Sequence, residues 1–251
     1  MALRQRVLTA LALIPLIIVA TVLLPPPWFA LLIAAIAAPA AWEWAGLAGL
    51  QQVAARGMYM VTVLVLLFLV YLLEMREAAG FMFYAAVTWW GIGLLLVLLY
   101  EATSLELKLV RSIRLIIGVL VLVPAWWSLV VLRGADDGGI TRVLFLLVMI
   151  WVADSAAYFS GKRWGQRRLA QRVSPGKSWE GVIVSLLVVV ILALASTPWL
   201  LEIYENRIMF MSVCVVTAGC SVLGDLFESL VKRTARIKDS GNLLPGHGGV
   251  L

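Results

Sequence analysis

The chain has 251 residues, 63% of them hydrophobic and only 14% charged, with a mean hydropathy of +1.01. Soluble domains carry about a quarter of their residues as charges, so this balance excludes a soluble globular protein and puts most of the chain in lipid. The net charge of +6 would point to nucleic acid in a soluble protein; here the basic residues stand between apolar runs, where they set topology, and no nucleic-acid partner is expected.

Arg4 and Arg6 precede a first apolar run, Val7 to Leu24. The run resembles a signal peptide, but it is long, ends in Pro25-Pro26-Pro27 and lacks a small-x-small cleavage site, so it reads as an uncleaved first helix. Trp28 to Leu50 is the second span and carries Glu43 between Trp42 and Trp44. Met58 to Leu73, Phe81 to Tyr100 and Leu115 to Leu132 follow, the last with Pro124 as an expected kink. Val143 to Ser160 carries Asp154, Gly181 to Leu201 is the seventh span, and Ile208 to Leu230 carries Asp225 and Glu228. Each run is about the length that crosses a hydrocarbon core. The pattern predicts an all-α, polytopic bundle of about eight transmembrane helices. It forms one membrane domain over 1–251, in which 1–142 is poor in motifs and 143–251 holds the catalytic helices and loops. Cys214 and Cys220 share one apolar run, without zinc or disulfide spacing.

The loops alternate in charge. Arg56, then Lys108, Arg111 and Arg114, then the run from Lys162 to Lys177, then Lys232 to Lys238 fall on one side, and the connections on the other side have no comparable excess. Basic loops stay in the cytosol, so the amino terminus and both motif-rich loops are expected there. Several tryptophans, Trp28, Trp89 and Trp199 among them, lie in or beside the runs, and some of them are expected as interfacial anchors. No internal repeat marks two halves of a transporter.

Ionisable groups inside a span cost a few kcal/mol and point to function. Asp154 stands about 12 Å of helix from Lys162, and Asp225 about 10 Å from Lys232, so both lie near cytoplasmic helix ends. Asp225 and Glu228 share a helix face. The loop after the sixth span reads Gly161-Lys162-Arg163-Trp164-Gly165, then Ser174-Pro175-Gly176-Lys177-Ser178-Trp179-Glu180-Gly181. Glycine-freed N–H groups, hydroxyls and a lysine suit phosphate oxygens. It is not a P-loop, because Gln171 stands where the leading glycine belongs and no strand is expected before it. In the last stretch, Lys238-Asp239 follows Asp225, and two carboxylates at that spacing suit a hard cation bridged to phosphate. The only histidine, His247, lies between Gly246 and Gly248, as a base, a phosphate donor or a turn residue.

The string Ser229-x-x-Lys232-Arg233-x-x-x-x-Lys238-Asp239-x-Gly241-x-x-Leu244-Pro245-Gly246-His247-Gly248-Gly249 resembles the signature of phosphatidate cytidylyltransferases, the CDP-diacylglycerol synthases. Asp154-Ser155-Ala156-Ala157-Tyr158-Phe159-x-Gly161 and Ser174-Pro175-x-Lys177-Ser178-Trp179-Glu180-Gly181 match the same family in order and spacing. The likeness is strong from Trp151 onward and holds earlier only in character.

The resemblance implies a membrane transferase, often a homodimer, in the inner (plasma) membrane with its site facing the cytoplasm. It joins CTP and phosphatidate into CDP-diacylglycerol and pyrophosphate with Mg²⁺, alone or beside a second cation. It implies metal-binding Asp225 and Asp239, with Lys232, Arg233 and Lys238 completing the catalytic set. Ser174, Lys177, Ser178, Glu180, Asp154, Tyr158, His247, Gly248 and Gly249 would bind substrate. Two departures stand out. Gly176 and Ser178 replace a basic residue and a threonine common in relatives, and the chain stops at Leu251, before an acidic and basic run that usually follows, so it reads as truncated. The competing readings are another lipid-linked phosphotransferase, whose aspartate run is absent, and a cation-coupled transporter.

Overall fold

A computed structural model describes residues 2–73, 75–103, 109–135, 138–200, 206–237, 241 and 249. The elements run α1 (Ala2–Leu23), α2 (Pro26–Leu47), α3 (Val53–Leu72), α4 (Met75–Ala102), α5 (Arg111–Gly134), α6 (Gly139–Trp164), β1 (Arg168–Ala170), β2 (Ser174–Ser178), α7 (Trp179–Leu200) and α8 (Arg207–Thr234). Among the described residues, seven helices, α2 to α8, are long and apolar enough to cross a membrane, and α1 adds the shorter apolar stretch Leu13–Leu23. The protein is an all-α, polytopic membrane protein. Most helices outrun the apolar runs that announce them: α6 continues to Trp164, past Lys162 and Arg163, and α8 continues to Thr234, past Lys232 and Arg233. Hydropathy marks the hydrocarbon thickness, whereas helical hydrogen bonding continues into the interface. α5 runs unbroken through Pro124, and the nearby Ser128 hydroxyl lies within hydrogen-bonding range of the Pro124 and Ala125 carbonyls at 2.8 and 3.1 Å.

The chain forms two compact units. One contains Met1–Ile92, Glu106–Ala135 and Val231–Leu251, and the other Gly93–Leu105 and Asp136–Leu230. Within the first, α2 packs on α3 and α5. Lipid offers apolar helices no hydrophobic gain on meeting each other, so small residues that let backbones approach decide the pairing. α2 buries such a stripe at Ala37, Ala41 and Ala45. In α5, Gly118 fills the same role: an added Cβ would collide with Trp44 and Tyr59. Both aromatics end in polar handles that reach α5 carbonyls. Trp44 Nε1 donates to Arg114 O at 2.8 Å and the Tyr59 hydroxyl to Leu115 O at 2.9 Å. Arg133 donates from Nε to Thr21 O at 2.8 Å and from Nη2 to Leu24 O at 2.9 Å, which satisfies carbonyls orphaned at the α1 C-terminus and places a cation at its negative end.

In the second unit, α6 packs along α7. The core joins Met149 and Ala153 of α6, Val189 and Ala193 of α7, and Phe210, Cys214 and Ala218 of α8. Alanines again mark the close approaches. Asn206 starts α8 by accepting the Ile208 and Met209 N–H groups at 2.9 and 3.3 Å, the usual work of an N-cap asparagine.

The α6–α7 connection is not the irregular glycine loop its composition suggests. β1 and β2 pair antiparallel, Arg168 opposite Ser178 and Ala170 opposite Ser174, with a register irregularity between Arg168 and Ala170. Gly176-Lys177-Ser178 therefore lies in a strand that runs straight into α7. A strand does precede Gln171, contrary to the expectation above. The P-loop order of strand, loop and helix is still not met, because here the triplet is itself strand.

Candidate functional site

Every residue of the site described next belongs to the second unit. α6, the hairpin, α7 and α8 enclose a cleft of about 650 Å³, within the ~300–1,000 Å³ typical of small-molecule sites. Asp154, Tyr158, Lys177, Ser178 and Asp225 all line it. Asp154 and Tyr158 stand one helical turn apart on α6, so both reach the same side. Asp225 comes from α8, and Lys177 from the hairpin.

The central contact joins residues far apart in sequence. Lys177 Nζ donates to Asp225 Oδ2 at 2.6 Å, with the lysine side chain 27% and the aspartate 51% exposed. Asp154 lies within electrostatic reach of both. Two carboxylates and one ammonium thus share one wall of a cleft whose lining also includes Lys162 and Arg168. Lys162 Nζ sits 5.9 Å from the centre of the Tyr158 ring, a cation–π distance.

Glycines set how closely the hairpin approaches α6. Ser178 is 3% exposed, and its hydroxyl accepts the Gly181 N–H at 3.2 Å, capping the first turn of α7. A Cβ at Gly161 would stand 3.1 Å from that hydroxyl, and one at Gly181 would stand 2.9 Å from Ala157 O. At Gly165 it would collide with Gly161 O and stand 2.7 Å from Ser178 Oγ. Backbone cannot yield as a side-chain tip can, so Gly165→Ala is expected to cost about 1–3 kcal/mol. The check is the thermal midpoint in detergent, and an unchanged midpoint contradicts this reading of the junction.

The other expected site residues fall elsewhere. Ser174 opens β2 opposite Ala170. The Glu180 oxygens accept the Arg167 N–H at 3.1 and 3.3 Å, so this carboxylate serves the base of the hairpin. Lys232 and Arg233 occupy the last turn of α8. Lys238, Asp239, His247 and Gly248 lie outside the described residues, and Gly249 is half-buried. In the first unit, Gly241 lies against the buried Glu43: a Cβ on Gly241 would collide with Glu43 Oε1 and stand 2.8 Å from its Cδ.

Sequence reasoning missed Ser185 and Ser221, which also line the cleft. Ser221 had a usable signal, since it lies one turn before Asp225 on the same helix face. It also missed Glu101 on α4, whose carboxylate holds the hairpin turn.

The two cleft carboxylates, Asp154 and Asp225, form an oxygen-only donor set without histidine or thiolate. That suits a hard cation such as Mg²⁺, which keeps several waters and takes one or two carboxylates beside substrate phosphates. The residues present therefore fit such an ion.

The model of the cytidylyltransferase family matches residues 4–251. The phosphatidate cytidylyltransferase of Pseudomonas aeruginosa is 43% identical over 249 residues, covering 99% of this chain and 90% of that protein. That of Haemophilus influenzae is 36% identical over 266 residues, covering 99% and 92%. That of Bacillus subtilis is 41% identical over 123 residues, covering 48% and 44%. On a match that runs nearly from end to end, the chain belongs to the cytidylyltransferase family of nucleotidyltransferases.

Proposed function

We propose that this protein transfers the cytidylyl group of CTP to phosphatidate, giving CDP-diacylglycerol and pyrophosphate. The observation that carries the reading is the cleft itself. Two carboxylates and a lysine paired at 2.6 Å to one of them meet where the C-terminal halves of α6 and α8 face the hairpin, a place we read as open to both a dissolved nucleotide and an anchored lipid. The names of the relatives aligned over nearly the whole chain support the two substrates.

A phosphate oxygen of phosphatidate forms a bond to the α-phosphorus of CTP. The bond from that phosphorus to the bridging oxygen breaks, and its electron pair leaves on pyrophosphate. A phosphate monoester is already anionic near neutral pH, its second pKa being about 6, so no strong base is required. The burden is alignment and charge neutralisation. Lys177 offsets charge on the departing pyrophosphate, and Lys162 and Arg168 hold anionic groups along the same lining. Asp154 and Asp225 would hold Mg²⁺, with Asp239 as a further ligand from the signature segment. The ion would neutralise CTP phosphates and polarise the reacting phosphoryl group. Lys232, Arg233 and Lys238 serve substrate phosphates in the same scheme. The run Lys162, Arg163, Arg167, Arg168, Arg172 and Lys177 supports a cytoplasmic mouth for the cleft by the positive-inside rule.

The test is radiolabelled CTP with phosphatidate in mixed micelles and Mg²⁺. Label should move into the organic phase, one pyrophosphate appearing per labelled lipid. Label that stays aqueous while protein and micelles are intact overturns the reading.

A further inference from the structure

We infer that Glu101, in the last turn of α4, is a positioning residue that holds the β1–β2 hairpin so that Lys177 meets Asp225. The inference rests on the proposed transfer only for its activity readout; the geometry stands by itself.

Three backbone contacts converge on this one side chain. The Arg172 N–H donates to Glu101 Oε1 and Oε2 at 3.2 and 3.0 Å, and the Val173 N–H donates to Oε2 at 3.3 Å. The Arg172 guanidinium also donates to the carbonyl of Thr103, just beyond the end of α4. Arg172 and Val173 form the turn between the strands, and Val173 is fully buried. Glu101 thus grips the tip of the hairpin, while Glu180 grips its base through the Arg167 N–H. Both clamps set a carboxylate on backbone N–H groups, two for Glu101 and one for Glu180.

The hairpin needs such clamps. An isolated two-stranded hairpin is marginal, and this one carries Pro175 and Gly176 inside β2, residues that strands disfavour. Its register is irregular as well. Position 101 is also a costly place for an acid. A carboxylate in the last turn of a helix faces the negative end of the macrodipole, so helix stability does not explain it, whereas two backbone N–H groups to bind do. Lys177 lies four residues beyond Val173, in the strand that this turn leads into. A shift at the clamp is therefore carried along the strand to the lysine.

The experiment is a double-mutant cycle in the labelled-CTP assay, using full-length wild type, Glu101→Gln, Lys177→Ala and the double variant. Gln keeps the shape but leaves one acceptor for two donors. A residue that acts through Lys177 should lower kcat/KM about tenfold or more in the wild-type background and less than twofold once Lys177 is gone. An equal loss in both backgrounds overturns the inference, as does wild-type activity in Glu101→Gln. A wild type that moves no label instead sinks the transferase reading and leaves the geometry to be judged by trypsin. Cleavage after Arg172 in detergent should then be at least fivefold faster in Glu101→Gln, with the thermal midpoint of the bundle held within a few degrees; an unchanged rate overturns the inference. Should Glu101→Gln fail to fold, Arg172→Ala removes the guanidinium and with it the Thr103 link, and should accelerate cleavage after Arg168 in the same sense; no acceleration counts against the clamp.

Discussion

Asp225→Asn reduces lipid-linked label by a factor of about 10³ or more while the bundle stays folded. Loss of a single preorganised electrostatic contact costs ~10²–10³ in turnover. Here one substitution removes two things, half of the carboxylate pair in the cleft and the anion that Lys177 faces. The fold does not depend on that ion pair. The aspartate side chain is 51% exposed, and exposed pairs are worth roughly 0–1 kcal/mol, so the midpoint in detergent should move by no more than a few degrees. Asn keeps the shape and one acceptor oxygen but carries no charge, and neutral oxygen is a poor ligand for a hard cation in a site with so few carboxylates. Mn²⁺ binding followed by paramagnetic resonance gives a readout separate from turnover and should weaken in step. Retention of more than about a tenth of wild-type activity, or unchanged Mn²⁺ affinity, overturns the proposal that Asp225 holds Mg²⁺.

The helices were legible because lipid enforces them: every backbone group in a span must bond within its own helix, so runs such as Val143 to Ser160 declare themselves. Asp154 and Asp225 were legible for a related reason, since charge in an apolar helix is costly enough to need a purpose. The hairpin was not. Ser174-Pro175-Gly176-Lys177-Ser178 has poor strand propensity; it is a strand through its pairing with β1, in a hairpin whose turn and base bond the carboxylates of Glu101 and Glu180. Those partners are N–H groups, identical in every residue, so no side-chain pattern announces them. The Lys177–Asp225 contact bridges 48 positions, and each half was nominated on separate grounds without any sign that they touch. Ser178 shows the opposite limit. Its hydroxyl looked like a phosphate ligand, yet it caps α7 inside a cage of glycines, and only the glycine spacing hinted at such close packing. Glu43 was visible as an oddity between two tryptophans, but nothing in its surroundings tied it to Gly241.

Lys177→Ala should lower kcat/KM by about 10²–10³, the range for one preorganised donor at developing charge. Lys177→Arg should recover little of it, because a planar fork does not replace a compact ammonium at a fixed point. Two roles for this lysine predict opposite responses to Mg²⁺. If Lys177 only neutralises Asp225, its removal frees the carboxylate, the ion binds more tightly, and saturating Mg²⁺ restores the rate. If it meets the departing pyrophosphate, the lost donor is not replaced by more metal, and the deficit persists at every concentration. The geometry favours the second. A 2.6 Å contact between partly exposed groups adds little to stability, and the hairpin holding the lysine is bonded at its turn by Glu101 and at its base by Glu180. A site that needed only a counterion for Asp225 could take one from solution at no structural cost. A lysine held on a hairpin of a kind that is marginal by itself is a group whose position matters. An Mg²⁺ titration of the alanine variant, scored by label in the organic phase, decides between the two, and full recovery at high Mg²⁺ would sink the assignment of Lys177 to the leaving group.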